Sequence, residues 1–135
     1  MTRSICHRGS LSVEVVALVP MMMALLSFAV FGLRWTGATS DAVHAANIAT
    51  RVASESRGAT GITNGRAAAV MSLNASRWCR PATVHVSRIV LGDEIRYSAT
   101  VACPVDLTGL SVLHMGEVHA TGTSEQIVDR FRSDR

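Results

Sequence analysis

Hydrophobic residues are concentrated in one block near the start of the chain. From about Leu11 to Leu33 the sequence carries a single charged residue, Glu14, and one proline, Pro20. At 1.5 Å per residue a helix over this block would reach roughly 35 Å, enough to cross the hydrocarbon core of a bilayer. The block is also longer than the hydrophobic region of a secretory signal peptide. The pattern therefore predicts a transmembrane helix.

Beyond this block, small apolar residues recur at helical spacing. The spacing predicts that the helix continues as a stalk to about Arg57 and ends at Gly58, with Gly61 and Gly65 close behind. Small side chains permit close approach of another helix. Two interpretations stay open, packing in the core of a filament or packing on the chain's own domain. The residues of this stripe are Ala42, Ala45, Ala46, Ala49, Val52 and Ala53.

The second half of the chain alternates apolar and polar residues as strands do. Thr83–Leu91 is rich in Val and Ile, and Ile95 to Cys103 alternates cleanly. Gly92-Asp93 between them indicates a two-residue hairpin turn. A weaker third strand is predicted over Val112–Thr121. The tail from Ser124 is charged, and we expect it to fray unless its few apolar side chains dock.

Together these elements predict an α+β fold. A long N-terminal transmembrane and stalk helix precedes a short helix over Arg66–Trp78 and a small three-stranded antiparallel sheet. The expected divisions are a short basic segment at 1–9, called the leader below, the transmembrane helix at 10–34 and the helical stalk at 35–58. A small extracytoplasmic α+β domain would occupy 59–135.

Charge determines the expected orientation and excludes one class of partner. Arg3 and Arg8 precede the apolar block, which predicts a cytoplasmic N-terminus and an extracytoplasmic C-terminal part. Arg34 on the far side opposes this bias slightly, whereas Trp35 beside it suits a membrane interface. Without the leader the chain has 11 basic and 10 acidic side chains, so nucleic-acid binding is not expected.

The three cysteines divide unevenly along the chain. Cys6 lies in the leader, whereas Cys79 and Cys103 lie in the part expected outside the cytoplasm. An oxidising compartment favours a disulfide between these two. The alternative is a pair of free, buried thiols.

Catalytic and metal-binding patterns are weak. His85, His114 and His119 do not have the spacing of a zinc site, either together or with the cysteines. A triad could be assembled only on paper, because no nucleophile elbow or similar signature supports it. It would combine Asp106 and His114 with one of three serines, Ser72, Ser76 or Ser87. We therefore expect no metal, no cofactor and no enzymatic activity.

The most informative motif is Arg8-Gly9-Ser10-Leu11-Ser12-Val13-Glu14, directly before and into the apolar block. A short basic leader, a glycine, a small residue and Glu as the fifth residue after that glycine resemble prepilins and pseudopilins. The fuller pattern VEVVALVPMMMALL is most similar to TadE-like pseudopilins of tight-adherence (Flp-type) pilus systems. That family often has an aromatic residue directly after the Glu, and here Val15 stands there.

This resemblance implies a function and specific residues. A prepilin peptidase would cut between Gly9 and Ser10, and Glu14 would pair with the new Ser10 amine of a neighbouring subunit. The product would be a membrane-anchored minor pilin used by a pilus assembly platform together with other pilin and pseudopilin subunits. The alternatives are a single-pass accessory protein that binds a partner and never enters a filament, and a tethered extracytoplasmic enzyme.

Overall fold

The computed structural model describes residues 10–56, 58–79, 81–109 and 117–128, with side chains from residue 16 onward except at 17, 58 and 59. The chain divides into two compact units, Met1–Leu33 and Arg34–Arg135. The expected α+β class is confirmed, because a long helix and a short helix precede a three-stranded antiparallel sheet. The elements are α1 (Ser10–Ser56), α2 (Gly58–Asn74), β1 (Thr83–Leu91), β2 (Glu94–Pro104) and β3 (His119–Ile127).

In the first unit, α1 exposes large apolar side chains on all sides. It is long and apolar enough to cross a membrane, and none of its most apolar window is buried within the protein. Exposing such a surface to water is unfavourable by about 25 cal/mol per Å² of apolar area. The exposed side chains include Val16, Leu18, Val19, Met21, Met22, Met23, Leu25, Leu26, Phe28, Val30 and Leu33.

The sheet of the second unit has the order β1-β2-β3, with both pairs antiparallel. Its first hairpin has the predicted two-residue turn, since Leu91 pairs with Glu94 around Gly92-Asp93. Gly92 has φ of 59°, the left-handed conformation that this kind of turn requires and that glycine adopts without steric cost. The hairpin prediction is therefore confirmed.

The third strand lies further along the chain than predicted. The sequence pattern indicated Val112–Thr121, but β3 occupies His119–Ile127 and extends into the residues expected to form a charged tail. Residues 112–116 of the predicted strand lie outside the described part of the chain. The reason for the error is that the inward positions of β3 hold Ala120, Gly122 and Ser124, which produce almost no hydrophobic alternation.

The helices also divide differently from the prediction. The second helix begins at Gly58 rather than Arg66, and Gly61 and Gly65 lie inside it. An added Cβ at Gly61 would lie 2.6 Å from the Ala53 carbonyl oxygen, and one at Gly65 would lie 2.5 Å from that of Ala49. These glycines therefore do not end a helix; they let α2 approach the backbone of α1.

The stripe of small residues in α1 packs within its own unit. Ala38, Ala42, Ala45, Ala46, Ala49 and Ala53 are all fully buried. The region predicted as a separate stalk thus contributes to the core of the second unit, together with the inward side chains of the sheet. Of the two interpretations left open by the sequence, packing on the chain's own domain is the one observed.

Candidate functional site

The residues of the leader motif lie at the edge of the described chain. Gly9 is outside the described residues, and Ser10 is the first residue of α1. Glu14 belongs to the same helix, but its side chain, like that of Ser10, is not among those described. The expected pairing of Glu14 with a Ser10 amine therefore stays a prediction.

Arg34, the first residue of the second unit, fastens the turn that follows β2. Its Nη1 donates hydrogen bonds to the carbonyl oxygens of Asp106 at 2.8 Å and Thr108 at 2.9 Å. The turn itself is closed by the Asp106 carboxylate, whose Oδ1 accepts the Thr108 backbone N–H at 2.8 Å and also the Thr108 hydroxyl. Gly109 follows with φ of 86°, a conformation that favours glycine. Arg34, whose charge opposes the predicted orientation, thus has a structural role.

The same contacts perturb the acidity of this turn. Hydrogen bonds from the Thr108 side chain and then from its backbone N–H hold the pKa of Asp106 below its ordinary value. The nearby Arg34 charge lowers this pKa further. Each contact favours the ionised carboxylate, so the fold and the ionisation of Asp106 support one another.

The Trp78 ring packs against α1 at Gly37, which has no side chain. A Cβ added to Gly37 would lie 3.0 Å from Cδ1 of Trp78, so the indole covers the backbone of this helical turn. The turn after α2 is held by Ser76, whose Oγ donates to Asp41 at 2.5 Å. The same oxygen accepts the backbone N–H groups of Trp78 and Cys79 at 3.1 and 3.0 Å.

The next residue of that turn is covalently tied to the sheet. Cys79 and Cys103 form a disulfide, as predicted, with their Cα atoms 5.2 Å apart. Both cysteines are fully buried. Because Cys103 lies in β2 and Cys79 follows Trp78 directly, the bond also restricts where the Trp78 ring can lie.

The outward face of the sheet is polar in its middle and apolar near the first hairpin. Arg96 lies between two acids, with its Nε 2.6 Å from Glu94 and its Nη1 4.0 Å from Glu125. The hydrogen bond and charge of Glu94, with a smaller effect of Glu125, raise the pKa of Arg96. Around this cluster Ile89, Leu91 and Ile127 are exposed.

Side chains with possible catalytic or metal-binding chemistry are dispersed. Ser72 donates to the Ala69 carbonyl and Ser87 to the Ser98 carbonyl. Among the described residues no three His, Cys, Asp or Glu side chains cluster in a way that could hold a metal ion. Two shallow grooves of about 430 and 410 Å³ have no acid, base or histidine in their linings. His114 lies outside the described residues.

Comparison with protein-family models, curated proteins and solved structures finds no significant match to this chain.

Sequence reasoning missed three features of this region: the Arg34 contact, the Ser76–Asp41 bond and the position of Trp78. The first two join residues that are 72 and 35 positions apart, which no local pattern indicates. A signal did exist for the helix pairing that brings these residues together. Gly61, Gly65 and Ala69 recur every four residues in α2 and match the small stripe of α1.

Proposed function

We propose that this protein is a membrane-anchored pseudopilin, similar to TadE-like minor pilins, that acts in assembly of a tight-adherence (Flp-type) pilus. A prepilin peptidase would remove residues 1–9, and the mature subunit would await extraction with its C-terminal unit outside the cytoplasm. Its partners would be this peptidase, other pilin subunits and the assembly platform. Its role would be structural, without catalysis.

One observation supports this proposal best, the change of character within α1. Large apolar side chains are exposed between Val16 and Leu33, whereas alanines are buried from Ala38 to Ala53. The second half of the helix is thus occupied by its own unit. Only the first half needs an apolar environment from elsewhere, and both a bilayer and a bundle of neighbouring helices supply one. A subunit that moves from membrane to filament requires such a helix.

The glycine of the leader gives the first test. We expect mass spectrometry of the mature protein from its native host to place the N-terminus at Ser10. Gly9→Leu should abolish processing, because a peptidase pocket shaped for glycine has no room for a branched side chain. Ser4→Leu, elsewhere in the leader, is the matched control and should be processed normally. An uncut chain in the wild type would favour the partner-binding accessory protein that does not enter a filament.

Glu14 gives the second test. Its replacement by alanine removes a charge that is costly in lipid, so membrane insertion and cleavage should persist. The loss should fall on assembly, because the carboxylate would no longer register with the Ser10 amine of a neighbour. We expect processed Glu14→Ala subunits in the membrane and few in sheared pili, with Val16→Ala as a neighbouring control. Wild-type incorporation of Glu14→Ala would contradict the pilin-type role of this residue.

A further inference from the structure

The two tryptophans of the protein are 43 positions apart in the chain, but both lie near the first residues of the second unit. Trp35 is the second residue of that unit, and Trp78 covers Gly37. On a helix of 3.6 residues per turn, Trp35 and Gly37 point in directions about 160° apart. The two indoles therefore lie on nearly opposite sides of α1, within one helical turn of each other.

Arg34 and the turn it binds complete this arrangement. Arg34 lies about 60° around the helix from Gly37, on the side of Trp78. Its two hydrogen bonds to carbonyl oxygens hold residues 106–109 at this position. Exposed Arg77 precedes Trp78 and adds a cation. We call Arg34, Trp35, Trp78 and residues 106–109 the junction collar.

The collar has the chemistry of a bilayer interface. Trp35 and Trp78 are 38% and 43% exposed, neither buried in the core nor free of it. Half-exposed indoles and arginines prefer the headgroup level, where the ring is apolar on one side and its N–H can meet water. Arg34 to Gly37 spans about 4.5 Å along the helix axis, which fits within a headgroup layer of roughly 5–8 Å. Directly before Arg34 the exposed apolar run ends at Leu33.

We propose that the junction collar is a lipid-binding surface that seats the second unit in the headgroup layer of the membrane. This inference rests on the membrane-anchoring part of the proposed function and is independent of pilus assembly. Trp35 holds one side of the helix at the interface. Trp78, fixed by the Ser76–Asp41 bond and the disulfide, holds the other side, so the folded unit itself contributes to the anchor.

Depth-resolved fluorescence quenching tests the proposal. Because the chain has only two tryptophans, Trp35→Phe leaves Trp78 as the sole emitter in the full chain. The variant is reconstituted into phosphatidylcholine–phosphatidylglycerol vesicles whose lipids carry a nitroxide either near the headgroup or near the chain end. We expect the shallow nitroxide to quench Trp78 at least about twofold more than the deep one.

Two reporters in the Trp35→Phe, Trp78→Phe background calibrate the measurement. Phe28→Trp reports the apolar segment and should be quenched most by the deep nitroxide. Leu91→Trp, at the hairpin, should be insensitive to both nitroxides and open to aqueous iodide. Native disulfide content confirms that each variant is folded.

The outcomes separate the collar from the anchor. In one outcome, the deep nitroxide quenches Phe28→Trp while Trp78, like Leu91→Trp, is insensitive to both nitroxides. This result would contradict the junction collar and would support the membrane span. No lipid quenching of Phe28→Trp would overturn the anchor and the collar together. A third outcome is that lipid nitroxides do not quench Trp78 while its protection from iodide increases with the protein-to-lipid ratio. This result would assign the surface to contact with a second copy of the chain and would also overturn the proposal.

Discussion

Arg34 shows how one side chain acts at the start of the second unit. Its guanidinium satisfies the carbonyl groups of Asp106 and Thr108, which a tight turn would otherwise leave to water. The Asp106 carboxylate closes the turn from the other side by accepting the Thr108 N–H. Local hydrogen bonds of this kind replace the regular ladder where the chain leaves β2. The ionised Asp106 carboxylate therefore stabilises this turn.

The lowered pKa of Asp106 gives a pH prediction. Its stabilising effect is fully present above the unfolded pKa of about 3.8 and is lost as the pH falls through the lower folded pKa. We expect the free energy of unfolding of the detergent-solubilised protein to decline as the pH falls below the unfolded pKa of about 3.8, with a share due to this group. Asp106→Asn should remove that share of the decline in the free energy of unfolding. Because the carboxylate is exposed, the effect should be small.

Asp93→Asn provides a matched control, since Asp93 lies at the hairpin turn and not beside Arg34. As the pH falls, the free energy of unfolding of Asp93→Asn should still show the share of the decline assigned to Asp106. Identical acid limbs for the wild type and Asp106→Asn would show that the turn does not depend on ionised Asp106.

At the scale of elements, the helices and strands of the second unit pack with their backbones close together. β3 crosses α1 so closely that a Cβ at Gly122 would lie 2.3 Å from the Val43 nitrogen and 2.4 Å from the Ala42 carbonyl carbon. Beside this crossing, the hydroxyls of Thr50 and Ser124 share a hydrogen bond of 3.0 Å. Small residues thus set the distance between helix and sheet, and hydroxyls satisfy the polar groups that this distance buries.

We expect Gly122→Ala to destabilise the protein by about 3 kcal/mol or more, because the atoms it meets are backbone and cannot rotate away. Chemical denaturation followed by circular dichroism would measure the change. Thr121→Ala, the outward neighbour in β3, should cost less than about 1 kcal/mol. Equal losses in the two variants would mean that the backbones of β3 and α1 can move apart at this crossing, which would contradict the prediction.

For the whole molecule, the second unit has a modest core. Many of its buried apolar side chains are alanines, and its largest fully buried side chains are Tyr97, Val101, Thr50 and the two disulfide cysteines. A domain of this size buries a limited fraction of its surface and has little stability to lose. A covalent link across the core therefore contributes a large share of its stability.

The disulfide joins residues 24 positions apart, and loop-closure entropy for such a loop corresponds to about 3.5 kcal/mol. We expect the double substitution Cys79→Ala, Cys103→Ala to lower the free energy of unfolding by this order and to make it insensitive to dithiothreitol. Cys6→Ala should leave both the stability and the response to reductant unchanged. A wild-type protein whose unfolding is the same with and without reductant would disprove this role.

The sequence by itself determined the features that depend on neighbouring residues. The apolar block, the hairpin at Gly92-Asp93, the bounds of β1 and the pairing of Cys79 with Cys103 all follow from local periodicity, turn chemistry and a small number of thiols. Such signals are readable because large apolar side chains and glycine at positive φ have strong preferences wherever they occur.

Only the tertiary structure decided what the small residues do. Gly61, Gly65 and Gly122 carry no hydrophobic signal, and their role depends on which backbone atoms would lie within 3 Å of an added Cβ. For that reason the sequence placed the start of α2 and the position of β3 wrongly and left the packing of the alanine stripe open. The packing of Trp78 against Gly37 is decided in the same way, since it joins positions of the chain that no local pattern connects.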